Sequence, residues 1–463
     1  MIRPIRIVFA GISLELYRET GNFCQDYAQS FALWQEKISG IASIAASGIA
    51  YNDNELREIL HRVSPSEIDA VVISPLSYIL SRTVWEAIKD YDAPICLWST
   101  QTMQTITPEY VPQDLSRNHT VQGTQDVTNV LVRRKRFFQI VTGHYADPVK
   151  LEQLRLALET CRAYRQSATI KVCSLGGKFE GMDDFLFDPE LVKKQLGWFF
   201  ESLPEAEYIR CWKEADAGEA EELTKQDFER CEIKPGLNAE DHKNSVRGYL
   251  ALRKLAELYH FDAFTFNFQV FGSLPEPKAI PFYGINRMLA DGYGYAGEGD
   301  ALRAALMASM NNLASPVNFT EIYTVDFVRQ RMLMTHMQEC NPACARKDRK
   351  VQLRSMPFKR AETSYSGMYF TAEPGPVTLV TLTENGNGGL RYIVFSGEIE
   401  DAPPLKNYNR GHWILQTKDA AALLDAYSLA GGTHHLIAVP GDRRSQMKNL
   451  AQLQNVEYMD LGD

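Results

Sequence analysis

Along the first third of the chain, short runs of aliphatic and β-branched residues alternate with stretches whose apolar positions recur every three or four residues. The runs at 5–11, 70–74, 94–98 and 137–142 read as buried strands, and the periodic stretches at 22–36, 54–63 and 149–164 read as helices. Strands alternating with helices predict a parallel sheet covered on both faces. The pattern resumes with strand candidates at 170–175, 208–212 and 263–268, separated by an acidic helical stretch at 214–231 and a long helical one at 239–260. Beyond residue 312 the character changes. Strand-like runs at 368–371, 377–383 and 391–395 are punctuated by Pro374-Gly375 and by NGNGG at 385–389, a hairpin signal, and a helix follows near 418–430. The predicted fold class is α/β: two parallel-sheet α/β domains followed by a mostly antiparallel, β-rich C-terminal domain. The boundaries fall at 1–169 (Rossmann- or flavodoxin-like), 170–312 and 313–463.

The stretch 291–313, DGYGYAGEGDALRAALMASMNNL, stands out from this pattern. Four glycines (Gly292, Gly294, Gly297, Gly299) and two acids (Glu298, Asp300) precede a helix with Leu302, Leu306, Met310 and Leu313 on its apolar face. Asp300 is placed to accept a bond from the free N–H groups of the first turn, which leaves Glu298 to point elsewhere. The segment 292–297 fits GxGxxG. However, 282–290 before it lacks the β-branched run of a buried strand, and two acids stand where a pyrophosphate would lie, so a dinucleotide is not expected. GGK at 176–178 is followed by Phe179 and lacks the earlier glycine of a phosphate loop.

Charge narrows the partners. With 49 basic and 58 acidic residues the net charge is −9, a surface that favours neither nucleic acid nor an anionic membrane. No apolar run reaches the length of a membrane span, and 5–11 reads as a first buried strand rather than a signal peptide. The eight cysteines are scattered, which predicts free thiols and a cytoplasmic protein.

The chemistry concentrates in four side chains. Glu298 lies in the glycine-rich stretch. Glu321 sits in NFTEIYTVDF, where an unpaired carboxylate would be costly to bury. His336 closes the apolar run in RMLMTHMQEC, and His435 ends GGTHH. Two carboxylates and two imidazoles suit a divalent first-row metal such as Mn²⁺, with Co²⁺, Fe²⁺, Mg²⁺ and Zn²⁺ as alternatives. Their separations match no local zinc motif, and each histidine taken singly reads first as a structural one.

The string RMLADGYGYAGEGDALRAAL, followed in order by FTEIYTVDF, MLMTHMQECNP and LAGGTHHL, closely resembles bacterial L-arabinose isomerases, within the L-fucose/L-arabinose isomerase group. NHTVQGTQDV and FFQIVTGHYADP extend a looser similarity into the first half. The resemblance implies the same three-part fold, assembled as a homohexamer with active sites at subunit interfaces. It implies a metal-dependent aldose–ketose isomerase acting through a cis-enediol. Glu298, Glu321, His336 and His435 match the metal ligands, with Glu298 and Glu321 also the proton-transfer pair. His435 rather than His434 follows the second histidine of the family pair. Asp300 matches an acid beside the site, and His434, Gln122 and Glu15 fall on the substrate side. Here the chain departs from the pattern. Leu14-Glu15 stands where the family has Gln-His, and Gln122-Gly123-Thr124-Gln125 stands where it has His followed by Gly-Asp-Arg-Glu. These departures point to an aldose other than L-arabinose, a hexose or a substituted sugar. Two other readings are a non-catalytic sugar-binding protein on this scaffold and a metal-dependent sugar epimerase.

Overall fold

The computed structural model describes residues 3–19, 24–271, 281–356, 365–406, 408 and 410–462. It divides into two compact units, residues 2–165 and 166–463.

The first unit holds a five-stranded, wholly parallel sheet. Its spatial order is Ser43–Ala50, Arg6–Ile12, Ala70–Pro75, Ile95–Ser99, Gln139–Thr142, the 2-1-3-4-5 order of flavodoxin-like doubly wound folds. One face is buried on Val8, Ala10, Val71 and Ile73 and the other on Ile7, Phe9, Val72 and Trp98. Such two-sided burial explains why the inner strands read as unbroken apolar runs. The strand Ser43–Ala50, SIAASGIA, gives no such signal. It is an edge strand built largely of small residues, and Gly48 packs against Ile59, whose side chain would lie 2.9 Å from a Cβ there.

The second unit begins with a four-stranded parallel sheet ordered Gly294–Gly297, Ala263–Phe266, Lys171–Leu175, Phe199–Leu203. Residues 208–212, expected as a strand, belong to the helix Glu205–Lys213, and the strand precedes them at Phe199–Leu203. The helix prevails because Pro204 starts it, Glu205 and Glu207 sit in its first turn and Arg210 and Lys213 in its last, in the order that suits its dipole. Part of the glycine stretch is itself a strand. Gly294 packs so closely on the helix Ala301–Leu313 that a Cβ would fall 2.3 Å from the Ala304 carbonyl oxygen.

Beyond this sheet, six strands form a closed antiparallel ring: Gly375–Glu384, Leu436–Pro440, Asn318–Asp326, Arg331–Thr335, His412–Gln416 and Leu390–Ile399, the last pairing again with the first. Glu457–Asp460 adds a parallel strand against Leu390–Ile399, which makes the sheet mixed. Residues 385–389 form the expected hairpin turn. A three-stranded sheet of Tyr365–Tyr369, Gln352–Met356 and Glu232–Ile233 completes the unit. Among the described residues, no helix is long and apolar enough to cross a membrane.

The close seating of strand on helix at Gly294 gives a direct test. Gly294→Ala should lower stability by about 1–3 kcal/mol through overpacking, read from the midpoint of denaturant unfolding. An unchanged midpoint would mean that the two elements are free to separate.

Candidate metal centre

Strand register brings three of the four expected side chains to one end of the closed ring. Glu321 pairs with Thr335, and Thr320 with Leu436. Glu321, His336 just beyond Arg331–Thr335, and His435 just before Leu436–Pro440 therefore emerge side by side. Glu298 comes from the parallel sheet, on the turn that follows Gly294–Gly297. Its backbone is left-handed, φ 64°, a conformation that costs a non-glycine residue about 1–2 kcal/mol. The neighbouring glycines allow that turn. A Cβ on Gly297 would stand 2.9 Å from His336 Cε1, and one on Gly299 (φ 86°) would stand 2.3 Å from the Gly177 carbonyl oxygen.

The imidazole Nε2 atoms and carboxylate oxygens converge. His435 Nε2 lies 3.2 Å from Glu321 Oε1 and 3.7 Å from Glu298 Oε2, and His336 Nε2 lies 3.5 Å from Glu321 Oε1. Glu298 Oε2, His336 Nε2 and His435 Nε2 are buried and have no hydrogen-bond partner among the described residues. Leaving such atoms unsatisfied costs about 1–3 kcal/mol each, a penalty that a bound cation would lessen.

Behind the open atoms, each buried imidazole is fixed by an acid. His336 Nδ1 donates to Glu339 Oε2 at 2.7 Å, and His435 Nδ1 donates to Asp300 Oδ2 at 2.9 Å. This carboxylate–histidine arrangement turns the Nε2 lone pair outward and is the usual support of a metal-ligating histidine. Asp300 therefore stands behind His435, fully buried, where it also caps the helix Ala301–Leu313 through the Arg303 N–H. Phe185 stacks on the His435 ring at 4.6 Å and Phe319 meets it edge-on at 4.7 Å.

Electrostatics favours a cation here. Among the described residues, Glu298, Glu321, Asp300 and Glu339 are opposed by one paired guanidinium, that of Arg303 on Asp300. Burial alone would push the His336 imidazole down, yet the Glu339 and Glu321 carboxylates raise it to about 10. Burial would push Glu321 up, yet the imidazoles of His336 and His435 hold it well below the usual carboxylate range. Acid in excess around inward-facing imidazoles suits a divalent ion.

His434 joins from the rim. One ligand atom each of Glu298, Glu321, His434 and His435 lies within 4.8 Å of the others. Its Nε2 is 3.6 Å from Glu321 Oε1 and 3.8 Å from Glu298 Oε2. Unlike His336 and His435, its ring is 41% exposed. Glu15 and Gln122 belong to the first unit. The Glu15 carboxylate starts the short helix Glu15–Glu19 and accepts from Arg18 and Asn52. Gln122 is exposed on the helix Val121–Arg133. Sequence reasoning missed Glu339 and Asp184. The spacing of His336 and Glu339 in THMQEC offered a signal for the first. Asp184, 250 residues from its partner His434, offered none.

Two family models match the chain, the L-arabinose isomerase central domain over residues 191–316 and the L-arabinose isomerase C-terminal domain over 316–457. Together they take in every residue of the cluster. The chain belongs to the L-arabinose isomerase-like family. It is 24% identical to the L-arabinose isomerase of Bacillus subtilis (strain 168), over 96% of this chain and 92% of that protein. Identity to the L-arabinose isomerase of Geobacillus thermodenitrificans (strain NG80-2) is 24%, over 88% and 84%. For that of Yersinia pestis bv. Antiqua (strain Nepal516) it is 22%, over 86% and 79%. Family membership makes the protein an aldose–ketose isomerase, an intramolecular oxidoreductase.

Asp300→Asn and Glu339→Gln should each weaken Mn²⁺ binding by about 10–100-fold with the far-ultraviolet circular dichroism unchanged, as titration calorimetry would read. Unaltered affinity in both would remove the acids behind the imidazoles from any part in metal binding.

Proposed function

We propose that the protein isomerises a free aldose other than L-arabinose through a cis-enediol, using one divalent cation, Mn²⁺ in the first instance. Glu298, Glu321, His336 and His435 would hold that cation. The observation that carries this reading is the set of three buried, unsatisfied atoms on Glu298, His336 and His435 facing the Glu321 carboxylate. His336 and His435 are preferred to His434 as the nitrogen donors because both are buried and each has an acid on its Nδ1.

A divalent cation held by these residues would supply Lewis acidity that acidifies the hydrogen on the hydroxyl-bearing carbon next to the carbonyl. The chain's own groups do the rest. Glu298 and Glu321 face one space from two different sheets. One carboxylate takes the proton from C2 and returns it to C1 on the same face of the enediol, while its partner serves the oxygens. Burial keeps water from competing for that proton. His434 and Asp300 complete the surroundings, His434 toward the sugar and Asp300 through His435.

The choice of an aldose other than L-arabinose rests on the first unit, where Leu14, Glu15 and Gln122 replace the family's residues at matching positions. A carboxylate and an amide in place of imidazoles change which hydroxyls can be gripped. The same reading includes a cytoplasmic homohexamer. Between the strands Asn318–Asp326 and Arg331–Thr335, Phe327 is 61% and Val328 92% exposed, apolar surface that a second copy would cover.

A panel of aldoses assayed with Mn²⁺ should give the highest turnover on a sugar other than L-arabinose, and activity confined to L-arabinose would contradict the altered specificity. Glu321→Gln should cut turnover by about 10²–10⁴-fold, the scale of a lost acid or base, with the thermal transition retained. Activity that survives would exclude Glu321 from proton transfer.

A further inference from the structure

Asp184 lies in the short turn Asp183–Phe185, far in sequence from every element of the metal centre, yet its carboxylate takes two bonds from one residue of it. His434 Nδ1 donates to Asp184 Oδ2 at 2.6 Å, and the His434 backbone N–H donates to the same oxygen at 3.3 Å. The turn is itself fastened from behind. The Arg303 guanidinium donates to the Asp184 carbonyl oxygen at 2.6 Å, to Asp300 at 3.3 Å and to Thr433 Oγ1 at 3.3 Å. Thr433 Oγ1 in turn donates to the His435 carbonyl oxygen at 3.0 Å. Phe185, next to Asp184, covers the His434 and His435 rings at 4.9 and 4.6 Å. One arginine thus joins the support of His435 to the support of His434.

Magnitudes show what this clamp is for. Both partners are more than a third exposed, 41% and 37%, and an exposed ion pair contributes only about 0–1 kcal/mol to stability. Orientation is different. An imidazole at the rim has free rotamers, and only with Nδ1 held on Asp184 does Nε2 face the space bounded by the Glu298 and Glu321 oxygens. That end of the ring meets carboxylate oxygens at 3.6 and 3.8 Å, too long for a hydrogen bond, so its partner is something that enters the space.

We propose that Asp184 is a positioning residue for the isomerisation, holding His434 so that Nε2 grips a sugar hydroxyl rather than the cation. The inference rests on the isomerase reading for the identity of the ligand, and on the hydrogen bonds alone for the orientation. Crystals of Asp184→Ala grown with Mn²⁺ should show the His434 ring turned away from Glu298 and Glu321. On the aldose that the wild type converts best, KM should rise about tenfold with a smaller change in kcat, the pattern of a lost binding contact. Mn²⁺ affinity by calorimetry should stay within about twofold, since no ligand to the cation is altered. Asp184→Asn, which keeps an acceptor for Nδ1–H, should restore most of the loss. The double variant Asp184→Ala/His434→Ala should match His434→Ala, because Asp184 acts through that ring. An unmoved ring would overturn the proposal. So would a Mn²⁺ affinity lowered tenfold or more in both Asp184→Ala and His434→Ala, which would make His434 a ligand. A wild type that converts no aldose would defeat the isomerase reading, while the ring position in the crystals would still decide the role of Asp184.

Discussion

The structure turns on a buried conflict of charge. Glu298 and Glu321 are drawn together with His336 and His435, and Glu298 Oε2, His336 Nε2 and His435 Nε2 face inward with no hydrogen-bond partner among the described residues. Phe185 and Phe319 pack against the imidazole rings. Two carboxylates and two imidazoles brought together in this way suit a small divalent cation. The acids behind the imidazoles, Asp300 and Glu339, fix which nitrogen of each ring faces the cluster.

Two architectures share the task of holding this arrangement. The closed ring locks register, because a strand without a free edge cannot slip, and a slip of one residue would turn Glu321 to the opposite face. Glu298 is held differently. The strand Gly294–Gly297 and the helix Ala301–Leu313 approach so closely that the turn between them has a single course, and this course fixes Glu298 at φ 64°. Backbone strain at the Glu298 carboxylate is thus balanced by packing one turn away.

Much of this could be read from the sequence, for identifiable reasons. The inner parallel strands were legible because burial on both faces forces continuous apolar runs. Ser43–Ala50 was not, since alanine, serine and glycine carry little strand preference and its packing is set by Ile59. Residues 208–212 misled because Tyr208 and Ile209 suit either state, and the deciding terms are the charges and the proline at the helix start. Gly294–Gly297 reads as a loop and is a strand, because what selects glycine there is a neighbouring helix rather than a turn. For the site, resemblance chose Glu298, Glu321, His336 and His435 where spacing could not. Of the acids behind the imidazoles, Asp300 was legible beside the site, Glu339 was signalled only by its spacing from His336, and Asp184 was hidden, since nothing local in the turn Asp183–Phe185 reveals an imidazole 250 residues away.

The central claim concerns where one ion sits, and anomalous diffraction at the manganese edge from crystals grown with Mn²⁺ tests it most directly. The account predicts a single strong peak within about 2.0–2.3 Å of Glu298, Glu321, His336 Nε2 and His435 Nε2, the range of first-row metal bonds to nitrogen and carboxylate. A peak bonded to His434 in place of His336, or no peak at this end of the ring, would contradict it.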